Sequence, residues 1–180
     1  MKFLSQLTAA CLATGAYAAA IVPRDAQTIK DVLAKVQNDV DSLDGTVKQF
    51  NGDPNPVLSA SDNLISTIGT GADQVKGTSD VTDINDAFSL LAPVDELKAH
   101  VRTLADDFNA KEPAVAAAKA CGATRERLDK IGSNTQTLVD NIVSKVPQST
   151  QGIARDRGNG IIQILNEVKA NYAADKCVDA

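Results

Sequence analysis

The chain has 180 residues, enough for one domain, with 18 Lys+Arg against 23 Asp+Glu and a formal net charge of −5. That acidic balance counts against a nucleic-acid binder, which needs a basic face. Four Phe, two Tyr, no Trp and a single His exclude a His-rich metal centre and an aromatic stacking platform, while 43% hydrophobic and 23% charged residues are the composition of a folded globular protein.

Met1–Ala20 reads as a secretory signal. Lys2 supplies the positive n-region, Leu4 to Leu12 a short apolar h-region, and Ala16-Tyr17-Ala18 and Ala18-Ala19-Ala20 two small-x-small cleavage sites. The apolar run is too short to span a bilayer, and no later stretch is long enough. The expectation is a signal over 1–20 and one exported domain over 21–180.

Helical periodicity follows. Ile29, Leu33, Val36, Val40, Leu43, Val47 and Phe50 recur in alternating steps of four and three, an uninterrupted amphipathic stripe. Asp25 is the candidate N-cap, and the proline-rich run from Asn51 to Pro56 stops this helix. A second helix covers about 57–75, with Gly69 and Gly71 weakening its C-terminal half. A third covers 83–111, with a kink or break at Pro93. A fourth starts at Pro113, a good first-turn residue, and ends before Pro147. A fifth covers about 150–174, with Ile153 expected on its inner face. No segment alternates as a strand does, so the predicted fold is all-α: an antiparallel bundle of about five amphipathic helices.

Cys11 leaves with the signal, and the mature chain keeps Cys121 and Cys177, an even number in an oxidising compartment. Each lies 28 residues from position 149, in the turn between the last two helices. An antiparallel hairpin therefore brings them to the same end. A disulfide is expected, worth about 4 kcal/mol in a loop-entropy model.

Motifs for chemistry are missing. There is no Gly-x-Ser-x-Gly elbow, Walker sequence or His-Glu-x-x-His, and Gly69-Thr-Gly71 follows a helix rather than a strand. Asp95-Glu96 and Asp106-Asp107 fall on polar faces. Arg125, Arg127 and Lys130 are interleaved with Glu126 and Asp129. No N-glycosylation sequon occurs. The reading is a non-enzyme with no cofactor and no metal. Two interiors stay open: a dry packed core, the ordinary outcome, or an apolar cavity between helices.

Several segments in order resemble the fungal hydrophobic-surface-binding protein A family, also called cell-wall galactomannoproteins. They are Val22-Pro-Arg-Asp25, the Ile29–Phe50 helix, Asp53-Pro-Asn-Pro56, Leu90-Leu-Ala-Pro-Val-Asp-Glu-Leu97, Val143-Ser-Lys-Val-Pro147 and Asn171-Tyr-Ala-Ala-Asp-Lys-Cys177. The resemblance implies a secreted all-helical fold. Some members adsorb to hydrophobic surfaces and help recruit secreted hydrolases. Others hold fatty acids in an internal apolar cavity and are abundant antigens. Ala180 closes this sequence without a Ser/Thr-rich stalk or hydrophobic tail, so a freely secreted protein is expected rather than a lipid-anchored one.

The expected ligand is a long-chain fatty acid or similar apolar molecule. Its expected site is the set of inward positions near mid-helix: Leu64, Ile68, Phe88, Leu91, Leu97, Val101, Leu104, Leu128, Ile131, Leu138, Ile161, Leu165 and Val168. The competing reading is a protein-binding module with a packed core that recruits or inhibits a secreted hydrolase.

Overall fold

The computed structural model describes residues 24–180; the signal segment lies outside the described residues. Six helices follow in order: α1 (Arg24–Lys48), α2 (Asn55–Lys76), α3 (Ile84–Phe88), α4 (Leu91–Ala117), α5 (Cys121–Lys145) and α6 (Gln148–Asn171). Five are long and α3 is little more than one turn. No strand occurs among the described residues. The helical expectation holds, and none of the described helices is apolar enough over its length to cross a membrane.

The five long helices close into a ring. Around it, α1 packs on α2, α2 on α5, α5 on α6, α6 on α4, and α4 back on α1. Chain direction alternates along the sequence, as expected of an up-down bundle. Around the ring, however, three neighbouring pairs run parallel. On α4 and α6, Asp95 meets Arg157, Arg102 meets Glu167 and Asn109 meets Asn171. On α2 and α5, Asp62 meets Arg127, and the carbonyls of Ile65 and Ala72 meet Asn134 and Asn141. On α1 and α4, Gln37 meets His100 and Lys48 meets Asp107. Spatial neighbours are therefore not simply sequence neighbours.

Helix boundaries correct two expectations about proline. The third helical region does break, but at Ser89 and Leu90, after α3 is capped by the Asp83 carboxylate, which accepts from the backbone N–H of Asn85 (2.7 Å) and Asp86 (3.3 Å). Pro93 then falls in the first turn of α4, where a missing N–H costs nothing because that donor has no helical partner. Pro113 does not start a helix. It lies inside α4, which continues to Ala117. The stop comes at Lys119, with φ 56° in the left-handed region. Ala120 N–H reaches the Val115 carbonyl at 3.1 Å and Lys119 N–H the Ala116 carbonyl at 3.0 Å. This is the paired bonding of a Schellman stop, made here with lysine where glycine is usual.

Two smaller corrections concern α1 and α2. Asp25 lies within the first turn of α1 and accepts a hydrogen bond from Ser79 N–H at 3.2 Å, tying α1 to the loop after α2. Gly71 is buried rather than merely weakening: a Cβ there would stand 2.6 Å from Val32 Cγ1, so its absence lets α1 and α2 approach closely.

The expected bridge is present. Cys121, at the start of α5, is bonded to Cys177, just past α6, with Cα atoms 5.6 Å apart. Around it the ring is tightly fastened. Tyr172, fully buried, donates from its hydroxyl to the Phe108 carbonyl at 2.7 Å and meets the Phe108 ring edge-on at 6.0 Å. Burial pushes the Tyr172 phenol well above its ordinary pKa. Arg125 donates to the carbonyls of Tyr172 (2.7 Å) and Cys177 (3.3 Å), and Ala180 N–H reaches the Ala116 carbonyl.

Candidate functional site

A ring of five helices has a geometric consequence at its axis. With neighbouring axes about 8–10 Å apart, the centre lies roughly 7–8.5 Å from each helix axis, against roughly 5.5–7 Å in a ring of four. Aliphatic side chains reach that centre less completely. Aromatic residues would fill it, but Phe50, Phe108 and Tyr172 sit together toward the disulfide end. A cavity of about 60 Å³ remains on the axis, lined from all five long helices and by no aromatic residue.

The lining is apolar. Its one hydroxyl, Thr135 Oγ1, donates back to the Ile131 carbonyl at 2.7 Å and offers no free group to the void. Gly158 of α6 lets the backbone approach Val139 of α5 in this wall; a Cβ there would stand 2.4 Å from Val139 Cγ1. Such a surface gains by taking up an apolar chain and supplies no acid, base or nucleophile.

Nine of the thirteen expected lining residues meet at this cavity: Leu64, Ile68, Leu97, Val101, Leu104, Ile131, Leu138, Ile161 and Leu165. The other four do not. Leu128 and Val168 are buried in the packed layer toward the disulfide. Leu91 and Phe88 line a separate cavity of about 30 Å³ at the opposite end, under α3, and Phe88 is 44% exposed. Ile153, expected inside, lies on the rim of that second cavity and is 42% exposed.

Residues left out of the expected set also line the centre. Leu33, Val36 and Val40 of α1 belong to the stripe the periodicity had already revealed. Val139 and Val143 lie beside the expected seam of α5, whose buried face is wide because it meets both α2 and α6.

The groups that carry chemistry elsewhere are engaged structurally. His100 is paired with Asp41 and Gln37 across the α1–α4 contact. Glu112, Cys121 and Cys177 lie together, but the disulfide takes both sulfurs out of metal ligation.

The family model for hydrophobic surface binding protein A matches residues 26–144. The chain belongs to this family. It is 36% identical over 151 residues to cell wall mannoprotein 1 of Aspergillus flavus, covering 83% of this chain and 55% of that protein. The Aspergillus fumigatus protein of the same name is 34% identical over 169 residues, covering 93% of this chain and 58% of its own length. The chain thus spans little more than half the length of these relatives. Its fold is that of ligand binding domain 1 of Penicillium marneffei MP1, a structure complexed with arachidonic acids: TM-score 0.79, 20% identity, covering 83% of this chain and 99% of that one. AFMP4P in complex with palmitic acid is similar at TM-score 0.76 and 22% identity, covering 82% and 99%.

Proposed function

We propose that this hydrophobic surface binding family member is a secreted, non-catalytic carrier that takes the acyl chain of a fatty acid into the centre of its helical ring. The carrying observation is the axial cavity, whose lining has one hydroxyl and that one already satisfied. The palmitic acid and arachidonic acid complexes of domains with this fold support the ligand class. Affinity would come from burying acyl surface at about 25 cal/mol per Å², less the cost of ordering the chain. At about 60 Å³ the void is smaller than the roughly 150 Å³ engineered cavity that accepts benzene, so a long chain enters only as the helices move apart. The acyl site comprises the nine expected residues together with Leu33, Val36, Val40, Val139 and Val143.

Titrating a fluorescent fatty acid into delipidated protein tests this. Wild type should bind saturably, and Leu138→Trp should fill the void and abolish binding at little cost in melting temperature. No saturable binding by wild type would sink the carrier reading and leave surface adsorption or hydrolase recruitment. Export is proposed with removal of residues 1–20 or 1–18; secreted protein whose N-terminal sequence began at Met1 would refute it.

A further inference from the structure

The carrier reading leaves the ligand's carboxylate unassigned, because the central lining holds no group to receive it. A buried carboxylate without a partner is strongly unfavourable, so the head must stay near a cation or water. The two ends of the ring differ in what they offer. Toward the disulfide, beside the Phe108–Tyr172 pair, lies a cavity of about 10 Å³ that shares no lining residue with the central one, and its cation, Lys111, donates to the Phe50 carbonyl at 3.3 Å. At the other end lies the second cavity, roofed by α3, and it shares Val94, Ile142 and Ala154 with the central one. Only one layer of side chains therefore separates the centre from this outer chamber. The exposed apolar side chains Phe88 and Ile153 stand at its mouth.

One cation lines this chamber, Arg157 of α6. Its Nη1 donates to both oxygens of Asp95 on α4, at 2.7 and 2.8 Å. Both side chains of that pair are about half exposed, 48% and 43%, so the pair contributes little to stability. A guanidinium carries five N–H donors in a planar fork, and the pair with Asp95 occupies one nitrogen. The remaining edge matches a second carboxylate, which Arg can hold through two parallel hydrogen bonds.

We propose that the chamber under α3 is the entrance to the acyl site and that Arg157 is the head-group site for the fatty acid carboxylate, with Asp95 as the resident competitor. This rests on the carrier reading: the acyl chain passes between Val94, Ile142 and Ala154 into the centre, and its carboxylate stops at Arg157.

Equilibrium titration of palmitic acid and of hexadecanol, the same chain without the carboxylate, tests the assignment. Arg157→Gln should weaken the acid at least tenfold and leave the alcohol unchanged. Asp95→Asn should tighten the acid by freeing the guanidinium, a direction that loss of fold would not produce. Arg102→Gln, removing an equally exposed cation (47%) paired with Glu167 elsewhere on the α4–α6 surface, should change neither ligand. Acid binding that is unaltered in Arg157→Gln, or weakened equally in Arg102→Gln, would overturn the head-group site while leaving the carrier reading intact. Weaker acid binding in Asp95→Asn would also overturn it, by making the pair structural. Failure of wild type to bind either molecule would remove the carrier reading and this inference together.

Discussion

The disulfide end and the α3 end of the ring are held by different means. The first joins a covalent bridge, a fully buried tyrosine with a bonded hydroxyl, an edge-on ring pair and an arginine on two backbone carbonyls. The second has a five-residue helix that packs mainly against α6. The loop leading to it is fastened by the Ser79 N–H on the Asp25 carboxylate (3.2 Å), a backbone hydrogen bond from Val81 to the Lys145 carbonyl (2.7 Å) and a Lys145–Asp80 pair whose aspartate is exposed. Exposed Ile84, Phe88 and Ile153 gather at or near that end. Opening free energy is unevenly distributed in such a molecule, and the less fastened end should open at lower cost than the rest.

Breaking the fastened end should have the largest effect. Replacing Cys121 and Cys177 with alanine removes a bridge across a sequence separation of 56 and should lower unfolding free energy by about 4 kcal/mol, read from denaturant midpoints under oxidising conditions. Between the two ends, Gly158→Ala should cost about 1–3 kcal/mol, because the new methyl group meets Val139 in a wall that has no slack on that side. An unchanged melting curve would mean that α5 and α6 separate easily at the cavity. Tyr172→Phe sharpens the contrast further. It removes one buried hydrogen bond while the Phe108 carbonyl keeps its helical partner, so the loss should be about 1 kcal/mol.

At the α3 end, Phe88→Ser should shift stability by no more than about 0.5 kcal/mol in thermal unfolding, since the ring is already 44% exposed. A loss as large as that of Tyr172→Phe would show the two ends to be equally fastened. The smallest effect belongs to Glu167, whose carboxyl is held below its ordinary pKa by the hydrogen bond and charge of Arg102. Because the folded value is depressed, the pair contributes above the unfolded value of about 4.5 and is lost as pH falls through the folded one. The melting-temperature gap between wild type and Glu167→Gln should therefore be greatest near neutral pH and narrow as pH falls below about 4.5.

Much of the fold is legible in the sequence. The Ile29–Phe50 stripe falls on α1 and the short flanking segment, and Ile29, Leu33, Val36, Val40, Leu43 and Val47 are all buried. The equal spacing of the cysteines about position 149 led to the bridge that is present. Helix punctuation was less legible. Pro113 carries the usual mark of a start and lies inside α4, while the stop at Lys119 carries no glycine. In each case tertiary contacts around the disulfide end outweigh a local preference of a few kcal/mol.

The candidate site divides along the same line. Periodicity reports which face of a helix is turned inward, and Leu104, Ile131, Leu138 and Ile161, inward by that pattern, line the central cavity. Depth along the axis is invisible to periodicity. Leu128 and Val168 share the inward faces of their helices yet pack in the closed layer, and Phe88 and Leu91 serve the outer chamber. Which helices become neighbours was equally undetermined, because parallel and antiparallel pairings bury the same apolar stripes. Local patterning thus determined five long amphipathic helices and a cysteine pair. Only the closing of those helices into a ring of five decided that the interior holds a cavity, because the distance from helix to axis depends on how many helices surround it.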